Sequence, residues 1–242
     1  MHTAGFPDTE TFVMRTLGLL AGMSWESTIP YYRQINDAVR DRLGGLHSAK
    51  LVLYSVDFAE IERLQRQGDW DEAGRRLAAA AAALARAGAE ALVICTNTMH
   101  KVAPAIEAGS GLPLLHIADA TAARLRAAGL ARIGLLGTRF TMEQDFYRER
   151  LAGQGLDVLV PEAGQRELVH RVIYDELCRG VVREESREHY RGIMADLVRR
   201  GAEGIILGCT EIGLLVGDAD TTVPTFDTTR IHAQAAADWA LD

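Results

Sequence analysis

The sequence predicts an α/β protein of two pseudo-twofold-related domains. Each is a short parallel sheet flanked by helices, and the ligand site lies in the interdomain cleft. Two observations predict this. Apolar, β-rich runs alternate with helical stretches along the 242 residues, the pattern of parallel sheets covered on both faces. The second half of the chain also repeats the first. "TLGLLAGMSWESTIPYYR" from Thr16 resembles "RIGLLGTRFTMEQDFYR" from Arg132, and "RAGAEALVICTNT" resembles "RRGAEGIILGCTE". "LPLLHIADATAARLRAA" likewise resembles "VPTFDTTRIHAQAAADW". Gly18 and Gly134, Gly88 and Gly201, and Pro113 and Pro224 lie 116, 113 and 111 residues apart. Three matches in one order at near-constant offsets mark one design used twice.

In the first half, apolar runs predict strands over 16–21, 51–56, 90–95 and 113–117. Helical spacing predicts helices near 26–43, 58–65, 71–88, 98–108 and 119–128. The second half predicts strands over 132–137, 157–160, 204–208 and 223–226, with helices near 142–153, 166–179, 184–200, 211–215 and 229–241. The expected first domain is 16–117 plus 223–242, and the second is 118–222. Residues 1–15 hold two acids and no basic run leading into an apolar core, so they read as a short disordered extension rather than a signal peptide. The run "LAAAAAALARAGAEALVI" is interrupted by Arg86 and Glu90 and is too rich in alanine to span a bilayer.

Lys+Arg 26 against Asp+Glu 33 gives a net charge of −7. That argues against nucleic acid or an acidic membrane as partner, while an acidic small molecule needs only one or two local cations. Cys95, Cys178 and Cys209 form no CxxC pair and no even set, which suits a reducing, cytoplasmic setting. There is no Walker loop, no GxGxxG, no HExxH and no cluster of metal ligands. The sequence therefore calls for no cofactor and no metal.

In such sheets ligands bind beyond the carboxyl ends of the strands, so "ALVICTNTMHK" and "IILGCTE" are the segments to compare. Read without a gap from Gly88 and Gly201, Thr96 matches Cys209 and Cys95 matches Gly208. Pairing Cys95 with Cys209 instead needs a one-residue gap inside the strand. Because successive side chains on a strand point to opposite faces, only one of Cys95 and Thr96 can face the cleft, and the ungapped reading favours Thr96.

"GMSWEST", "CTNTMHK", "LLGTRFTMEQDFY" and "GCTEIGLL", at these spacings and from about Thr16 onward, resemble the aspartate/glutamate racemase family. The closest likeness is to its broad amino-acid racemase branch. That resemblance implies two α/β domains around a cleft, a small-molecule amino-acid substrate, no pyridoxal phosphate, and usually a homodimer. Its members carry Cys-Asn-Thr in the first half and Gly-Cys-Thr in the second. Here Cys209 matches the second thiol, and Thr96 stands where the first would be. The implied function is interconversion of L- and D-amino acids, with aspartate and glutamate the expected substrates. Cys209 would be the thiol base, its pKa lowered by a following helix start, and Thr96 would stand opposite.

Racemisation needs two proton-transfer groups flanking the α-carbon, and an alcohol is far less acidic than a thiol. The sequence therefore predicts slow inversion, with faster α-proton exchange for the enantiomer facing Cys209. Asn97, Thr98, Met99 and Thr210 are the expected substrate contacts, and Ser24 reads equally as contact or helix cap. Glu211 could relay the thiol proton, and His100 could support Thr96. "YDELCRG" resembles the family segment in which a basic residue meets a substrate carboxylate, which nominates Arg179. Cys178 reads as a core residue, and Trp25 as packing or pocket wall. A one-thiol site also resembles the malonate-type decarboxylases of the wider superfamily, which includes maleate isomerases too. The remaining alternative is a catalytically weak amino-acid-binding protein.

Overall fold

The structure is a computed structural model that describes residues 13–242. Most of the predicted extension, residues 1–12, lies outside them. The first sheet holds β1 (Leu17–Ala21), β2 (Leu51–Ser55) and β3 (Ala91–Ile94), in the order β2-β1-β3. The second holds β4 (Arg132–Gly137), β5 (Asp157–Leu159), β6 (Gly204–Gly208) and β7 (Thr225–Asp227), in the order β5-β4-β6-β7. Every pairing is parallel. Strands β1, β3 and β6 are buried throughout, as strands covered on both faces must be.

The helices of the first half are α1 (Trp25–Leu43), α2 (Phe58–Gln67), α3 (Trp70–Arg86), α4 (Ala103–Ser110) and α5 (Ile117–Ala127). The second half has α6 (Arg139–Glu143), α7 (Asp145–Ala152), α8 (Ala163–Asp175), α9 (Glu184–Arg199) and α10 (Thr228–Leu241). The helix expected over 98–108 is a 3₁₀ turn, Thr98–Val102, followed by α4, whose second residue is Pro104. Proline is favoured in a helix's first turn, where its missing N–H needs no partner, so α4 starts there.

The repeat extends to polar details. Gly88 and Gly201 end α3 and α9 with φ of +93° and +95°, a region open to glycine and closed to most side chains. Glu90 accepts the Thr16 N–H at 2.6 Å. Its counterpart Glu203 accepts the N–H groups of Ala131 and Arg132 at 2.8 and 3.0 Å.

Two further expectations differ from the structure. Residues 113–117 form only a bridge, Leu92 to Leu114, beside β3. The strand expected at 223–226 as part of the first domain is β7, which pairs with β6 and so belongs to the second sheet. Only the helix that follows crosses back. Ala233, Ala236 and Ala237 of α10 pack with Leu17, Tyr31 and Ile35 of the first half. Conversely, Ile117, Ala122 and Leu125 of α5 pack with Ile133 and Ile206 of the second. Each half thus lends one helix to the other.

The two crossovers begin alike. His116 Nδ1 accepts the Ala118 N–H and caps α5, while Asp227 accepts the N–H groups of Thr229 and Arg230 and caps α10. His232 Nε2 donates to Leu115 O, joining one crossover to the other. Its Nδ1 therefore accepts the Tyr31 hydroxyl at 2.8 Å.

Candidate active site

The loops after β1, β3, β4 and β6 converge on one interdomain cavity. Its wall includes Met23, Thr96, Asn97, Thr98, Thr138, Gly208, Cys209 and Glu211, completed on another side by Phe58, Gln65, Ile173, Tyr174 and Cys178. The free space is only ≈ 10 Å³, about what one water needs and far less than a free amino acid.

Thr96 and Cys209, paired by the ungapped repeat, both line this cavity. Cys95 does not; it packs among Leu19, Val93 and Ala236 on the opposite face of the first sheet, and burial pushes its thiol up. Its repeat partner Gly208 has no room for a side chain. A Cβ there would lie 2.7 Å from Leu136 O, because β4 and β6 pair closely at that point.

Glu211 is the centre of the polar network and is 2% exposed. Its Oε2 accepts Cys209 Sγ–H at 3.0 Å and the Thr210 hydroxyl at 2.6 Å. Its Oε1 accepts the Ser24 hydroxyl at 2.7 Å and Cys178 Sγ–H at 3.8 Å. Ser24 comes from the first half, so this carboxylate also ties the domains together. Ser24 occupies the N-cap position of α1 without making a cap hydrogen bond; its hydroxyl is committed to Glu211 instead.

The lowered thiol pKa expected at Cys209 is not found. Burial first, and then the negative charge of Glu211, push it well above its ordinary value. Residues 212–214 form a single 3₁₀ turn, which supplies little helix dipole. Cys178, read as a core residue, also faces the cavity, and burial pushes its thiol up as well.

Asn97 Nδ2 donates to Thr228 Oγ1 at 3.0 Å, while its Oδ1 is buried on the cavity wall without a partner. Thr98 Oγ1 meets Thr138 Oγ1 across the cleft at 3.0 Å. Thr138 also caps α6 through the Thr141 N–H. Met99 and Thr210 stand behind the wall, the former receiving Gln65 Nε2–H at its sulfur.

His100 supports Thr96 through the backbone. Its Nε2 accepts the Ile117 N–H at 3.2 Å, so Nδ1 carries the proton and donates to Thr96 O at 2.8 Å. Burial, and then the nearby rings of His116 and His232, hold its pKa well down. Both nitrogens are occupied, which leaves none for the Thr96 hydroxyl. Arg179 and Trp25 are exposed and do not line the cavity. Among the described residues the wall carries no lysine or arginine, and no group of His, Cys, Asp and Glu is placed to hold a metal ion. No helix among them is long and apolar enough to cross a membrane.

Residues 20–236 match the Asp/Glu/hydantoin racemase family. A crystal structure of a putative Asp/Glu racemase from Yersinia pestis is 60% identical, with a TM-score of 0.88 over 95% of this chain and 100% of that one. An aspartate racemase homologue from Pyrococcus horikoshii OT3 is 33% identical, with a TM-score of 0.82 over the same shares. The broad specificity amino-acid racemase RacX of Bacillus subtilis is 22% identical over 225 residues, 90% of this chain and 95% of its own.

Proposed function

Because the chain belongs to the Asp/Glu/hydantoin racemase family, we propose that it is a cofactor-independent amino-acid racemase acting on aspartate and glutamate, with Cys209 as base. The observation that carries this is the contact of Cys209 Sγ with Glu211 Oε2 at 3.0 Å on the wall Thr96 shares.

A thiol base must first lose its proton, and Glu211 is the acceptor in place to take it. The thiolate then removes the α-proton as the Cα–H bond breaks. The hydroxyls of Thr98 and Thr138 stabilise the charge that develops on the substrate carboxylate. Asn97 Oδ1, a buried acceptor without a donor, receives the α-ammonium group. Reprotonation from the Thr96 side inverts the centre, while return from Cys209 restores it. An alkoxide at Thr96 is costly, and His100 cannot relieve it, since its ring is committed to backbone groups. Exchange therefore outruns inversion.

Arg179 reaches a substrate carboxylate in this reading only after the domains rearrange. The homodimer follows from the same resemblance, and sedimentation of the purified chain checks it; the cytoplasmic setting follows from three cysteines that form no even set.

The test is proton NMR in D₂O with L- and D-aspartate, L- and D-glutamate and a panel of neutral amino acids, paired with chiral analysis. Loss of the α-proton with slower inversion supports the racemase. Exchange of one enantiomer without inversion leaves Cys209 a lone base and turns attention to malonate-type substrates. Binding without exchange points to an amino-acid-binding protein.

A further inference from the structure

The cavity is too small for the molecule it would have to hold, so part of its wall must move. Gln65 and Tyr174 stand out because they line two spaces at once. They wall the central cavity, and they also wall an outer pocket of ≈ 310 Å³. Gln65 belongs to α2 of the first half and Tyr174 to α8 of the second. They meet through one hydrogen bond, Tyr174 hydroxyl to Gln65 Oε1, at 2.9 Å.

Around that bond runs a seam of aromatic side chains drawn from both domains. Phe58 stacks on Tyr174 at 6.3 Å between centroids, and Tyr174 meets His170 at 4.8 Å. His170 packs on Phe140 at 5.9 Å, and Phe140 meets Trp70 edge-on at 5.2 Å. Phe58 and Trp70 come from the first half, and the other three from the second. The covalent connections between domains lie elsewhere, at the crossovers joined by His232 and Leu115. Two domains joined at their crossovers can part only where they meet by side chains alone.

We propose that the Tyr174–Gln65 pair is the gate through which substrate reaches the cavity, and that the outer pocket is its antechamber. This rests on the racemase reading for the identity of the substrate. The antechamber wall carries both signs of charge. Arg66 lies 3.6 Å from Glu62, and Arg139 lies 4.0 Å from Glu167. Loose pairs of this kind at the surface exchange partners at little cost, and they match the carboxylate and ammonium of a free α-amino acid. When the gate swings, the freed amide of Gln65 and hydroxyl of Tyr174 face the substrate side chain.

The test needs no turnover. Iodoacetamide labelling of the full chain is followed at each cysteine by mass spectrometry for the native protein, Tyr174→Phe, Gln65→Leu and the double variant. Tyr174→Phe keeps the ring and removes only the hydroxyl. Each single variant is expected to speed labelling of Cys209 roughly three- to tenfold, the factor carried by one net hydrogen bond. The double variant is expected to add little, since both changes remove the same bond. Cys178, on the same wall, follows Cys209, whereas Cys95, behind the first sheet, stays at its native rate. Unchanged labelling of Cys209 in both single variants overturns the gate. So does an equal rise at Cys95, which would mean general loosening. If labelling behaves as expected while no amino acid exchanges its α-proton, the gate stands and the racemase reading fails.

Discussion

Cys209 Sγ and Glu211 Oε2 lie 3.0 Å apart, two residues distant in the chain and both buried. The short spacing fixes the pair locally, and the three other donors on Glu211 fix the carboxylate. A thiol whose pKa is raised by its surroundings needs a proton acceptor to act as the proposed base, and Glu211 is held against it.

Replacing that acceptor isolates its role. Glu211→Gln keeps the shape and the capacity to hydrogen-bond but cannot take the thiol proton. The α-proton exchange rate is expected to fall by roughly 10²- to 10³-fold, within the range of general-base contributions. Thermal unfolding should shift far less than for Glu211→Ala, which strands the Ser24 and Thr210 hydroxyls. An exchange rate within threefold of native would remove Glu211 from the proton path.

The two faces of the α-carbon are expected to be unequal. Thr96→Cys places a second thiol where the repeat puts the partner of Cys209, and the ratio of inversion to exchange should rise at least about tenfold. Cys209→Ser should abolish exchange on its own face. Polarimetry and NMR on the same samples give both rates, and an unchanged ratio would count against Thr96 as the opposing group.

Asn97 is expected to govern binding more than turnover. Asn97→Ala removes the unpartnered Oδ1 and frees Thr228, so KM should rise about tenfold, with a smaller fall in kcat. A fall in kcat alone would mean that its contact forms only in the transition state.

Acid should weaken the fold through its buried imidazoles. Burial lowers His232 to about 4 and His116 to about 3, and holds His100 well below its ordinary value. An unfolded chain binds these protons near the ordinary imidazole value of 6.5, so between there and the folded pKa it carries more of them than the fold does. Stability is therefore full above about pH 6.5 and is lost as pH falls toward 4, at about 1.4 kcal/mol per pH unit for each imidazole. Guanidinium midpoints measured from pH 7 to pH 4 read this slope. His232→Gln should flatten it, and a midpoint independent of pH would refute it.

Much of this architecture was legible in the chain. The repeat placed the strands, aligned Thr96 with Cys209, and so put Cys95 on the far face. Glu211 could be picked out as a neighbour of the thiol because it sits two residues from it, and the structure puts the two in contact. What escaped depends on local turn geometry at one place and on contacts remote in sequence at another. The segment resemblance at 177–180 nominated Arg179, but a 3₁₀ turn over Leu177–Arg179 rotates side chains by a larger step than an α-helix. In that turn Cys178, not Arg179, faces the cavity. Gln65 and Tyr174 carry no local signal for their pairing, since 109 positions separate them. Pro113 and Pro224 are equivalent by repeat, yet only the second is followed by a full strand.

The exchange of α5 and α10 between halves has a consequence for biosynthesis. The first sheet leaves the ribosome long before the helix that covers one of its faces. Until α10 has been made, Leu17, Leu19 and Tyr31 lack the alanine-rich surface that buries them. Domains generally fold as units during synthesis, but here the earlier unit must wait for the later one. A nascent chain halted after β6 would present that greasy face to chaperones, and separately expressed halves would be soluble only when made together.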